Sequence, residues 1–254
     1  EGDPEKREFI GATLPELSFA YIEVEGADQH HMDFRHATIA GIVATHGRFE
    51  EQLDLRHTTL DSLTFDDCTF ENGLVCAGAT IDGEVDLFET VVIGDDTDFT
   101  GVQFRGPVCV DEAEFRKDVS FADATFEQGG SFLGAEFYGR SNEINDNTTF
   151  DGAVFKDDAS FEHANFEFAS FENVTFAGDA SFEKARATGD IQFTGTGFGG
   201  MADFDEMRFL DDVSFAETAF AGEVHFRGVE FRGGAAILDD DVTFEDATFS
   251  DDVT

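Results

Sequence analysis

An apolar residue, usually phenylalanine, recurs along most of the chain at steps of five or six. Examples are Phe115, Phe121, Phe126, Phe132 and Phe137, then Phe150, Phe155, Phe161, Phe166, Phe171, Phe176 and Phe182. A small or β-branched residue stands two positions before almost every one, as in VSFAD, ATFEQG, ASFEH and VTFAGD. Neither the helical period of about 3.6 nor simple alternation over a long strand produces this spacing. Two inward positions separated by one outward position predict a three-residue strand, and the two or three residues left over must turn a corner. Glycine stands at that corner at Gly83, Gly106, Gly134, Gly139, Gly152, Gly178, Gly195, Gly222 and Gly228, each two after a central residue. A residue without Cβ there predicts a turn needing φ > 0.

Four such sides close one square turn of about 20–23 residues, and such a repeat decides the whole architecture. The predicted register puts Phe34, Leu55, Cys76, Phe99, Phe121, Ile144, Phe166, Ala187, Phe209 and Phe231 on a first side. The second carries Phe126, Phe150, Phe171, Phe193, Phe215 and Ile237, and the third Phe132, Phe155, Phe176, Phe198, Phe220 and Phe244. The fourth carries Ile93, Phe115, Phe137, Phe161, Phe182, Phe204, Phe226 and Phe249. About ten to eleven turns at ~4.8 Å each predict a rod about 50 Å long. The steps Phe137 to Phe150 and Phe231 to Phe244 are 13 residues where 11 is usual, and these insertions at 138–149 and 232–243 are expected as surface loops.

The units resemble the pentapeptide-repeat family, whose pattern A-[DN]-[LF]-x-x winds a right-handed quadrilateral β-helix. The resemblance covers essentially the whole chain, in a variant with Phe at the centre and Ser or Thr often replacing Asp or Asn. It implies an all-β fold and one solenoid domain over 1–254. The ladder has no capping segment at either end, so the chain is expected to be a segment of a longer protein.

Composition sharpens this picture. There are 32 Phe, no Trp, 2 Tyr and 3 Pro, with a net charge of −41. Disordered acidic chains are poor in aromatics, so the phenylalanines imply an ordered interior. The charge excludes direct nucleic-acid binding, which uses Lys and Arg to displace counterions, and disfavours an anionic membrane surface. No apolar run approaches 18 residues, so no membrane insertion by this segment is expected. Two explanations of the charge remain: adaptation to molar salt, or a surface shaped for a basic partner. Summed by side in the register above, net charge is about −4, −6, −8 and −7, and Lys is scarce, 4 against 11 Arg. Both features point to salt adaptation, and hence to the cytoplasm of a salt-accumulating halophile ahead of the cell surface.

Candidate chemistry is sparse. His30, His31, His36, His46 and His57 cluster early, and His36 and His57 share an outward position one turn apart, about 5 Å in a stacked strand. With Asp33 and Asp54 they are weak candidates for a divalent-metal site, against the plainer reading of exposed stacked side chains. The groups Asp95-Asp96-Asp98, Asp203-Asp205-Glu206 and Asp239-Asp240-Asp241 are candidates for calcium, although none has EF-hand spacing. Gly195–Gly200 superficially resembles a phosphate loop but falls inside the solenoid wall. Cys68 and Cys76 point inward, and Cys109 points outward without a basic neighbour. No catalytic residue and no cofactor is expected.

The expected function is a non-catalytic structural scaffold or protein-interaction rod with a salt-adapted surface, working with a protein partner or in a larger assembly. The alternative comes from the resemblance: some pentapeptide-repeat proteins are acidic rods that imitate duplex DNA and bind DNA gyrase, a type II topoisomerase. No residue-level gyrase motif carries over to this chain.

Overall fold

The computed structural model describes residues 9–21, 23–24, 31–92, 97–138, 148–232 and 242–254, and contains no helix among them. Short parallel strands, mostly of two residues, build four sheets, one of eleven strands and three of ten. Each strand hydrogen-bonds to the strand four elements later in the chain, so successive sides belong to different sheets and every fourth side stacks. Taken in the order used above, the first sheet contains Gln52–Asp54, Val119–Ser120 and Thr148–Thr149. The second contains Thr59–Leu60, Thr125–Phe126 and Val154–Phe155. The third contains Leu63–Asp66 and Ala159–Ser160, and the fourth Glu114–Phe115 and Asn165–Phe166.

The core is a set of ring stacks. Phe150 is fully buried and lies parallel between Phe121 at 4.9 Å and Phe171 at 4.8 Å. Rings from the opposite side interleave edge-on: Phe132 and Phe161 each meet Phe150 at 5.4 Å, near perpendicular. Parallel stacking along a side and edge contact across it let four aromatic columns share one narrow interior. Each buried ring contributes about 1.5–3 kcal/mol, with about 0.5–1.5 more per aromatic pair. Of the predicted ladder, Phe115, Phe121, Phe126, Phe132, Phe161, Phe166, Phe204, Phe209, Phe215 and Phe220 are buried, and Phe226 is partly buried. Inward threonines are satisfied by backbone: the Thr218 hydroxyl donates to the Phe193 carbonyl at 2.8 Å, and that of Thr90 to Phe65 at 2.6 Å.

The register departs from the sequence expectation after Phe137. Thr148 and Thr149 pair with Val119 and Ser120, which puts Phe150 on the first side above Phe121 and not on the second above Phe126. Phe126 carries Phe155 instead, at 4.2 Å. Phe161 therefore stands on the third side above Phe132, and Phe166 on the fourth above Phe137. The 13-residue step is one corner with a long connection, not two sides. The step from Phe231 to Phe244 behaves alike, for Phe244 stacks on Phe215 of the first side at 4.8 Å. Both long connections run from the fourth sheet to the first; Ile144 and Ile237, predicted as core residues, lie outside the described residues. Ile93 lies outside them too, and Val92, 1% exposed, fills the fourth-side position between Phe70 and Phe115.

The corners also revise the glycine reading. Two opposite corners, first-to-second and third-to-fourth, are β-turns closed by an i to i+3 hydrogen bond, such as Ala124 N–H to Phe121 O at 3.1 Å. Their third residue is left-handed, with φ of 55° at Asp123 and 66° at Gly134, as a type II turn requires. Most members of these columns are not glycine: His36, His57, Glu89, Glu112, His163, Lys184 and Glu206 all have positive φ. Gly83, Gly106, Gly178 and Gly222 sit at the second-to-third corner for another reason, close approach of successive backbones. A Cβ on Gly106 would lie 2.2 Å from the Gly83 carbonyl oxygen, and one on Gly222 2.3 Å from that of Gly200. Gly139 is outside the described residues.

Candidate functional surface

Charge follows the corners. On a flat parallel face, outward side chains of successive coils stack at about 4.8 Å, so a column of like charges would repel along its whole length. The second sheet avoids this: its outward strand positions include Thr38, Thr59, Thr80, Gln103, Thr125, Val154, Thr175, Gly197, Ala219 and Thr248, and none of its eleven strands carries a charged residue. The fourth sheet mixes signs, with Arg48, Glu114, Glu136, Arg186, Arg208 and Glu230. Many acids stand at corners, where side chains diverge, as at Asp82, Glu84, Asp157 and Asp158 after the second side and Asp67, Glu89 and Glu112 after the third. All four edges carry them: Asp151 and Glu172 follow the first side, and Glu71 and Asp211 the fourth. The per-side sums expected from sequence do not carry over, because the register moves a side after Phe137 and because many of the acids stand at edges between sides.

Where acids do stack on a flat face, cations interleave. Asp33 and Asp54 are paired neighbours of the first sheet. Arg35 reaches Asp33 at 2.6 Å and Asp54 at 3.6 Å, and Arg56 reaches Asp54 at 2.5 Å. The Arg35 hydrogen bonds outweigh burial and hold the Asp33 carboxyl below its ordinary value. Asp190 moves the other way, raised by burial and then by Asp211 and Asp212.

The His36 and His57 rings stack at 5.1 Å and 10°, one coil apart on left-handed corners. The carboxylates proposed to join them, Asp33 and Asp54, are instead engaged by Arg35 and Arg56. Among the described residues, two groups of three potential ligands converge: Asp203, Asp205 and His225, and Asp190, Asp211 and Asp212. Sequence reasoning singled out Asp203 and Asp205 but grouped them with Glu206. It missed His225, which stands beside Asp203 one coil later, their backbones paired in the third sheet. Asp203 and His225 each stand immediately before a central residue of one predicted column, Phe204 and Phe226, and that shared position was the available signal. Asp95, Asp96 and Asp239–Asp241 lie outside the described residues.

The remaining candidates are structural. Gly197–Phe198 is a strand of the second sheet, with no helix following it. Cys68 and Cys76 are buried, and Cys109 is half-buried. Burial pushes the thiols of Cys68 and Cys109 up to about 11, and that of Cys76 further up, so none is activated as a nucleophile. Relief on the sides is shallow: a depression of about 420 Å³ on the third side is lined by Ser131, Ser160, Ser181 and their neighbours.

Four parallel sheets, one ring stack per side and two columns of left-handed turns define a four-sided β-solenoid. Residues 93–142 and 143–186 match the family model described as pentapeptide repeats (9 copies). Residues 93–186 are thus similar to pentapeptide repeats, and the same four-sided coil continues among the described residues before and after them. Among solved structures, it is similar to HetL, a pentapeptide-repeat protein involved in heterocyst differentiation regulation from the cyanobacterium Nostoc sp. That likeness has 14% identity and a TM-score of 0.44, and covers 95% of this chain and 89% of HetL. It is also similar to QnrB1, a plasmid-mediated fluoroquinolone resistance protein, with 14% identity and a TM-score of 0.34, over 85% of this chain and 90% of that one. At such scores the fold assignment rests on the register and the repeat match. No curated protein matches by sequence.

Proposed function

We propose that the chain is a non-catalytic rod that binds a protein partner or is built into a larger assembly, with its acidic surface adapted to the salt-rich cytoplasm of a halophile. The observation that carries this reading is the placement of charge on all four edges of the solenoid, with one side free of charge at its outward strand positions. A surface made for a single basic partner would gather its charge toward that partner; this one surrounds the rod. Screening supplies the physical reason. At 0.1 M salt the Debye length of about 10 Å spans two coils, so neighbouring corner acids repel; at 1 M it is about 3 Å, shorter than one coil step of ~4.8 Å. The uncharged second side and the mixed-sign fourth side are then the surfaces that remain attractive to a partner at high salt.

Circular dichroism and thermal melting during a KCl titration from about 0.1 M to 3 M, spanning strong to weak screening, test the proposal. Folding or melting temperature that rises steeply toward molar salt supports adaptation. Equal stability at 0.1 M would refute it and turn the net charge of −41 into a binding feature. The DNA-mimic reading would then be examined in a gyrase supercoiling assay.

A further inference from the structure

We propose that Asp203, Asp205 and His225 form a site for a borderline divalent transition-metal ion such as Zn²⁺, which ties two successive coils of the third side together. The three ligand atoms lie within 4.8 Å of one another. Two atoms each about 2.1 Å from a shared ion stand at most about 4.2 Å apart, so a closure of several tenths of an ångström completes the set.

The orientation of each group is built in. His225 Nε2 lies 2.9 Å from Glu223 Oε1, which assigns the ring proton to Nε2 and leaves Nδ1 with its lone pair. Nδ1 faces Asp203 Oδ2 at 3.9 Å. A carboxylate behind the distal imidazole nitrogen is the usual device for aiming a histidine at a metal. The two aspartates are anchored likewise. Asp203 Oδ1 accepts the Asp205 backbone N–H, and Asp205 Oδ1 the Arg227 backbone N–H, each at 2.8 Å. That leaves Oδ2 of each for the shared space. The three side chains are only 13–15% exposed.

A cation already sits there. The Arg227 guanidinium contacts Asp205 Oδ2 at 2.5 Å and His225 Nδ1 at 3.3 Å. Burial disfavours the Asp205 anion, but the arginine more than offsets it and holds the carboxyl below its ordinary value. At 63% exposure, the Arg227 side chain is free to swing into solvent when an ion replaces it. One imidazole with two carboxylates, and water completing the shell, suits zinc or its neighbours better than calcium or magnesium, which take oxygen alone. The Asp190, Asp211 and Asp212 group has no nitrogen donor and is left out.

The test is calorimetric titration of ZnCl₂ into the metal-free full chain, at a salt concentration high enough to suppress diffuse counterion binding. A one-to-one event is expected. His225→Gln and Asp203→Asn each weaken it at least tenfold, and Glu223→Gln weakens it about 10–100-fold through loss of the orienting carboxylate. Arg227→Ala tightens it, because guanidinium and metal compete for one space. Circular dichroism checks each variant, and if His225→Gln fails to fold, Asp203→Asn carries the comparison. The absence of a one-to-one event, unchanged affinity in the ligand variants, or weaker binding in Arg227→Ala would overturn the site.

Discussion

The place of Phe150 decides the register of the C-terminal half, and a double-mutant cycle reads it directly. Phe→Leu at position 150 keeps the site apolar while removing a ring packed parallel to Phe121 at 4.9 Å and 7°. Each single replacement is expected to cost about 1–3 kcal/mol, as for a shape change in a tight core. The informative quantity is the coupling. Stacked aromatic pairs are worth about 0.5–1.5 kcal/mol beyond area burial, so the double variant Phe121→Leu/Phe150→Leu should be less destabilised than the sum of its singles by that amount. Phe126 and Phe150 would be the stacked pair if the 13-residue step contained two sides. In the structure Phe126 stacks on Phe155 at 4.2 Å instead, so the 126/150 pair couples only through shared neighbours such as Phe132 and Phe155 and its coupling should be the smaller of the two. Urea unfolding followed by far-ultraviolet circular dichroism in 1 M KCl supplies both cycles with the surface repulsion screened. A larger coupling for 126/150 than for 121/150 would refute the register.

Two further substitutions test the corners and the ion pairs. Gly101, with φ of 66° and nothing within 4 Å of an added Cβ, should accept alanine at about 1–2 kcal/mol, the cost of a left-handed Cβ. Gly106→Ala must push apart two backbones, its Cβ falling 2.2 Å from a carbonyl oxygen, and should have the lower urea midpoint; equal midpoints would exclude that close approach. Asp33→Asn should cost about 1 kcal/mol at pH 7, since its ion pair is only partly desolvated. The native carboxyl titrates below its ordinary value of 3.8, so the ionised pair stabilises the fold above that value and the contribution is lost as pH falls through the lower folded value. The gap between wild type and Asp33→Asn should therefore close between pH 5 and pH 2. A gap independent of pH would sever its link to Arg35.

Much of the fold was legible because the period is local. A five- or six-residue step with a small residue two before each ring leaves room for one strand and one corner, and Phe115, Phe121, Phe126 and Phe132 occupy the successive sides that this implies. The same locality made His36 and His57 neighbours, and their rings do stack. It failed at Phe137 to Phe150, where spacing alone cannot distinguish two short sides from one corner with a long connection. It also failed for the glycines. Gly106 and Gly134 look alike in sequence, yet one is needed for space against the coil below and the other has positive φ.

The candidate metal site divides along the same line. Asp203 and Asp205 are two residues apart and visible to anyone counting acids, but His225 and Glu223 reach them only because Ala202 and Val224 pair across coils. The amino-acid sequence by itself determined the unit, the buried column and the sign of the surface, since all three depend on side-chain chemistry within a single repeat. Tertiary structure decided which side each later repeat joins, where the charge stands and which groups meet. Those depend on hydrogen bonds between residues some 22 positions apart, whose partners are set only when the coils stack.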